Sequence, residues 1–155
     1  MKKHLSPGRL QRGATAVEFA FLIPIFVVLM IFPLLLGRCL WHYTAAQKAA
    51  HDAARYLSTI SVQEMREPAL AISAADIARQ IAAIELNQLN PGRDDGITIM
   101  VACGGLPCAG VRGSPLPETV TVSVRMHLHD PIFGMDVGRY GLPIGAQYEM
   151  RYMGR

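Results

Sequence analysis

Hydrophobic and polar positions change their period along this chain, and each change marks a different element. Residues 14–36 are an almost continuous run of Phe, Leu, Ile, Val and Met. At 1.5 Å per residue, a helix of that length covers roughly 30 Å, the thickness of a bilayer's hydrocarbon. Pro24 and Pro33 interrupt the run. Each removes a backbone hydrogen bond and tends to kink a helix, which a membrane segment tolerates when its neighbours satisfy the freed carbonyls. Polar residues then return at helical spacing. Ala46, Ala49, Ala50, Ala53, Ala54 and Leu57 take one side, and Gln47, Lys48, His51, Asp52 and Arg55 the other, with Lys48 and Asp52 one turn apart. The two parts predict one helix over residues 14–58, on the order of 65 Å long and bent at the prolines. Its face of small residues permits close approach, either to the protein's own globular part or to another subunit.

A second helix is signalled by Ser73-Ala74-Ala75-Asp76, which resembles a capping box. Ile77, Ile81, Ile84 and Leu89 supply its apolar side, and Asn90-Pro91-Gly92 ends it. The period then drops to two. Ile97, Ile99, Val101 and Cys103 alternate with Thr98, Met100 and Ala102, which predicts a strand. After a loop over residues 104–117, Val120, Val122, Val124, Met126 and Leu128 alternate with Thr121, Ser123, Arg125 and His127, and Asp130-Pro131 stops the strand. Residues 134–145, with Gly134, Gly138, Gly141 and Gly145 spread among Pro and Tyr, read as a loop. A last alternation sets Ala146, Tyr148, Met150 and Tyr152 against Gln147, Glu149 and Arg151. Three strands with one apolar face each need a cover, and the two helices can supply it. The expected fold is therefore α+β: a long N-terminal transmembrane helix continuing into a domain with a second helix and a small antiparallel sheet of about three strands.

Composition sharpens this division. At 155 residues the chain is long enough for one domain, and its hydrophobic share of 51% is concentrated in the first helix. The net charge of +3 is too small, and its basic residues too scattered, for a nucleic-acid surface. The exception is the basic cluster Lys2, Lys3, Arg9 and Arg12, directly before the apolar run. Positive residues stay cytoplasmic, so everything after Gly37 is expected outside the cytoplasm. Residues 1–13 then form a basic cytoplasmic leader, residues 14–37 a membrane span and residues 38–155 an outer domain. A cleaved secretory signal has a shorter apolar core, and Gly37-Arg38-Cys39-Leu40-Trp41 offers no small-x-small cleavage site. Trp41 and Tyr43 suit an aromatic anchor at the outer interface instead. Cys103 and Cys108 flank Gly-Gly-Leu-Pro. In an oxidising compartment they can close a local disulfide, worth the low end of roughly 2–4 kcal/mol, or remain two thiols. Cys39 has no evident partner.

Catalytic chemistry finds little footing. No nucleophile elbow, phosphate-binding glycine loop, paired zinc-ligand motif or nucleotide fingerprint is present. His127 and His129 point to one side of a strand, but they share that face with Thr121, Ser123 and Arg125, so a solvated polar face explains them more simply than a metal. The sequence predicts no enzyme, no cofactor and no metal. Glu18 stands apart. A carboxylate in a membrane segment costs roughly 2.5–3.5 kcal/mol at the bilayer centre and usually marks function, although one near the interface can snorkel and, in the first helical turns, favours the helix dipole.

The text around Glu18 bears a resemblance. Arg12-Gly13 followed by Ala14-Thr15-Ala16-Val17-Glu18-Phe19, then a long apolar run containing Pro24, resembles the N-terminus of type IV pilin-like proteins, specifically the TadE/TadG-like minor pseudopilins of the Tad (Flp) pilus system. The likeness is strongest over residues 12–37 and looser through Arg55 and at Gln147-Tyr148-Glu149-Met150-Arg151. It implies a pilin-like domain, and a prepilin peptidase that cuts after Gly13 on the cytoplasmic side. Ala14 becomes the new N-terminus, Glu18 its fifth residue, and Phe19 matches the aromatic that commonly follows. The new α-amino charge at Ala14 lies one turn from Glu18, which can neutralise it on the same chain or on an adjacent subunit.

The resemblance thus implies a minor pilin subunit or assembly factor in Tad pilus biogenesis and surface adherence. It waits in the bacterial inner membrane with its domain in the periplasm, and its partners are the prepilin peptidase, other pilin or pseudopilin subunits and the Tad assembly platform. Three rivals remain: a permanent single-span protein whose periplasmic domain binds a ligand or partner, a membrane-tethered enzyme, and a pseudopilin of a type II secretion machine.

Overall fold

A computed structural model describes residues 11–89, 97–109, 115–129 and 141–154. The order of elements is α1 (Gln11–Ser58), α2 (Val62–Arg66), α3 (Pro68–Asn87), β1 (Thr98–Cys103), β2 (Leu106–Pro107), β3 (Thr119–Leu128) and β4 (Leu142–Arg151). This is an α+β chain with one long apolar helix at its N-terminal end. It divides into two compact units, residues 1–38 and 39–155.

In the first unit α1 is helical from Gln11, three residues before the predicted start, and passes through Pro24 and Pro33 without a break in assignment. Its large apolar side chains, from Val17 through Phe26 and Phe32 to Leu36, lie exposed around the helix. A helix that is apolar on all sides has no face suited to water. None of its most apolar stretch is buried inside the protein, so it is not the core helix of a globular domain.

The second unit has a core of two halves. Ala46, Ala49, Ala50, Ala53, Ala54 and Leu57 of α1 are fully buried, joined by Ala74, Ala75, Ala78, Ala82 and Leu86 of α3. The small-residue face of α1 therefore packs within its own domain, the first of its two predicted uses. The apolar face of α3 differs in part from the expected one: Leu89 packs against the core and Ile81 is half-buried, but the other two isoleucines face outward. Ile77 and Ile84 are 41% and 61% exposed, whereas the alanines one step around the helix are buried. Two helices sharing a core with a sheet come close only where side chains are short, and isoleucine at those positions would hold them apart.

The predicted start of α3 also moves. Ser73 and Asp76 lie inside the helix, where Asp76 pairs with Arg79, and Pro68 opens it at a position where a missing N–H costs nothing. The capping box belongs to α2: the Ser61 hydroxyl accepts the Glu64 N–H at 3.2 Å, and the Glu64 carboxylate accepts the Ser61 N–H at 2.9 Å. The expected stops at Asn90-Pro91-Gly92 and Asp130-Pro131 lie outside the described residues, as do Gly134 and Gly138.

The sheet is antiparallel throughout, in the order β2-β1-β3-β4. Val120, Val122, Val124, Met126 and Leu128 are buried, as their alternation predicts. Register places Val101 and Tyr148 on either side of Val122, and Ile99 and Ala146 on either side of Val124, so this row faces the helices. The sheet exceeds the expected three strands by the short β2, which reverses on β1 through Gly104 and Gly105, both at positive φ. β4 begins at Leu142 within the expected loop, and Gly145 belongs to it. Gly141 precedes it at φ +79°, where a Cβ would sit 2.5 Å from the Leu128 carbonyl oxygen. Only glycine fits there. Beyond β4 the chain clamps the end of α1: the Tyr152 hydroxyl donates to the Ile60 carbonyl at 3.0 Å, and the Met153 N–H to that of Ser58 at 3.0 Å.

Candidate processing and assembly segment

Gly13 and Ala14 lie in the first turn of α1, so the bond between them belongs to the helix and not to a loop before it. The residues that favour helix around it are Gln11, Arg12 and Ala14, and Gly13 is the one poor helix former. Glu18 is four residues beyond Ala14, about one turn, and is exposed on the helix surface. Phe19 beside it is 65% exposed. Glu18 is about two turns along α1 from Gln11, the first described residue. Among the described residues no ion pair involves Glu18.

Farther along α1, Lys48 and Asp52 lie in the second unit. Lys48 reaches Glu85 on α3 at 2.8 Å and Asp52 at 3.6 Å, so the predicted one-turn pair gains a third member from another helix. Hydrogen bonding and charge from Glu85 raise the Lys48 pKa. His51 bonds Asp52 at 3.0 Å, and this bond, with Lys48 adding to it, lowers the Asp52 carboxyl below its ordinary value. The His51 ring also meets the edge of Tyr148 on β4, with centroids 4.7 Å apart. Sequence spacing identified Lys48 with Asp52. Glu85 and Tyr148 are distant in sequence, and no local pattern marks them.

Cys103 and Cys108 form a disulfide, their Cα atoms 5.0 Å apart, which ties the β1–β2 turn. Cys39 is a free thiol, half-buried against the core. Trp41 and Tyr43 are exposed just beyond the apolar run, 68% and 41%. His127 lies on the sheet face opposite the helices, together with Thr121, Ser123 and Arg125. No group of three or more His, Cys, Asp or Glu side chains among the described residues is placed to hold a metal ion.

These features define a class: a chain with one candidate membrane-spanning helix near its N-terminus that runs on into an α+β domain. Comparison with known proteins adds a match over part of the chain. Residues 13–55 match the family model TadE, described as TadE-like protein, so the chain carries a TadE-like segment that begins at Gly13 and extends into the alanine face of α1. No curated protein and no solved structure matches the chain.

Proposed function

We propose that the chain is a minor pilin subunit or assembly factor of the Tad (Flp) pilus system, cut after Gly13 by a prepilin peptidase and serving surface adherence. The observation that carries this reading is the conjunction at α1: a TadE-like match that starts at Gly13, and a carboxylate, Glu18, about one turn beyond, that has no ion pair among the described residues, on a helix apolar on all sides. Cleavage would release an α-amino group at Ala14. It would also shorten the helix so that Glu18 falls in its opening turns, where the dipole and the new positive charge both favour an ionised carboxylate. In the bilayer two such charges cost least when paired, either within one chain or between adjacent helices in register. Pairing between chains would set the stagger of subunits. The outer domain would lie in the periplasm, held to the inner membrane by α1, and would act through binding to other pilin subunits and the assembly platform, not through catalysis.

N-terminal sequencing of the mature protein from cells containing a prepilin peptidase tests the proposal. The expected first residue is Ala14, and Gly13→Leu leaves a larger, uncut protein. Mature protein that begins at Met1 would support the rival single-span receptor. Glu18→Ala is expected to leave membrane insertion and cleavage intact while assembly is lost.

A further inference from the structure

Two charges bracket the apolar part of α1. Between Glu18 and Arg38 the chain is wholly apolar: residues 19–37 carry no charge, amide side chain or hydroxyl. The helix runs unbroken through them, so at 1.5 Å per residue they cover roughly 28 Å, against about 30 Å for a bilayer's hydrocarbon. Their large side chains, Phe19, Phe21, Leu22 and Phe26 among them, are exposed, so lipid can surround the segment on all sides. The residues before Glu18 differ. Ala14, Thr15 and Ala16 are small and lose little by standing in the head-group layer, whereas Phe19, Phe21 and Leu22 lose much. The segment therefore has no slack. A shift of one turn in one direction carries Glu18 into hydrocarbon, and the same shift in the other exposes Phe19 and Leu22 to water.

We infer that the lipid bilayer takes residues 19–37 as its hydrocarbon span and that Glu18 is the depth stop of α1, its carboxylate hydrated at the cytoplasmic boundary of the free subunit. The inference deepens the reading above and rests on its single span with a cytoplasmic N-terminus. The Gly13–Ala14 bond then stands about 7 Å outside the hydrocarbon, where a peptidase on the cytoplasmic side reaches it without drawing the helix out. Glu18 is also at rest there. A carboxylate at the boundary keeps its water by turning its head outward, and the cost of burying it arises only when the helix moves along the membrane normal into an assembly. Pairing with the Ala14 amino group thus relieves a cost that belongs to assembly and is absent from the resting subunit. A subunit of this kind can wait in the membrane unpaired and still be registered by its carboxylate when it leaves.

The test uses the full-length, uncut protein reconstituted in vesicles of dioleoylphosphatidylcholine. With Cys39→Ser, the remaining cysteines, Cys103 and Cys108, are bonded to each other, so a cysteine introduced into α1 is the sole free thiol. N-ethylmaleimide crosses the bilayer but reacts with the thiolate, which hydrocarbon suppresses. Val17→Cys is expected to react at least about tenfold faster than Leu22→Cys. Adding Glu18→Leu extends the uncharged run and is expected to slow Val17→Cys by about tenfold, while Glu18→Asp leaves it fast. Loss of a neighbouring negative charge would by itself speed that thiol, so the slowing reports depth. Slow reaction of both cysteines puts Glu18 inside the hydrocarbon and overturns the inference. Fast reaction of both overturns it too, as does an unchanged rate at residue 17 in Glu18→Leu. Protein that fails to float with the vesicles overturns the span itself. Cleavage after Gly13 is read separately, by N-terminal sequencing, and its failure leaves the depth result standing.

Discussion

Ser61 and Glu64 show how much one pair of side chains can settle. They answer each other's backbone N–H groups and so fix the corner where α1 gives way to α2. Ser61→Ala is expected to cost about 1 kcal/mol in denaturant unfolding, as N-cap truncations do. The same contacts, the Ser61 backbone N–H first and its hydroxyl second, lower the Glu64 pKa below 4.5, and the His51 bond lowers that of Asp52 below 3.8. A carboxylate with a depressed folded value contributes stability that is fully present above its unfolded value and is lost as pH falls through the folded one. Unfolding midpoints measured downward from pH 6 should therefore hold until about pH 4.5 and then decline, and Glu64→Gln should make that decline shallower. Leu57, fully buried where α1 ends, has no such titration. Leu57→Ala is expected to cost about 2–5 kcal/mol at every pH, chiefly through the cavity it leaves.

Among the elements, α3 carries the sharpest lesson, because it has two apolar faces and buries only one. Its isoleucine stripe is the more hydrophobic, and by periodicity alone it reads as the core side. Its alanine stripe is what lets α3 approach α1 closely enough for Lys48 to reach Glu85. The contrast is testable. Ala78→Leu is expected to destabilise the domain by about 1–3 kcal/mol through overpacking, whereas Ile84→Ala should change stability by no more than about 0.5 kcal/mol, as exposed sites do. Denaturant midpoints of the two full-length variants decide the matter, and the opposite ranking would restore the isoleucine face as the buried one. In β3 periodicity and burial agree residue for residue, since a strand has one inside row and no second candidate. β4 was legible only from Ala146 onward, because Pro143 and Gly145 read as loop residues. Both are tolerated in a strand that lies at the edge of the described sheet.

The whole molecule combines an apolar helix with a domain whose disulfide, Cys103 to Cys108, closes a very short loop. Replacing both cysteines with serine should lower stability by about 2 kcal/mol and leave the fold intact, because a short loop constrains the unfolded chain least. The sequence by itself determined the apolar helix, the TadE-like segment around Gly13 and Glu18, the alanine face of α1 and the inward row of β3. Each is a local period or motif, carried by residues within a turn or two of one another. Only the tertiary structure decided which face of α3 is buried, that Glu85 joins Lys48 and that β4 lies at the edge of the described sheet. Those outcomes depend on how closely two helices approach and on which strand lies at the edge of a sheet, and such distances are set between elements far apart in the chain.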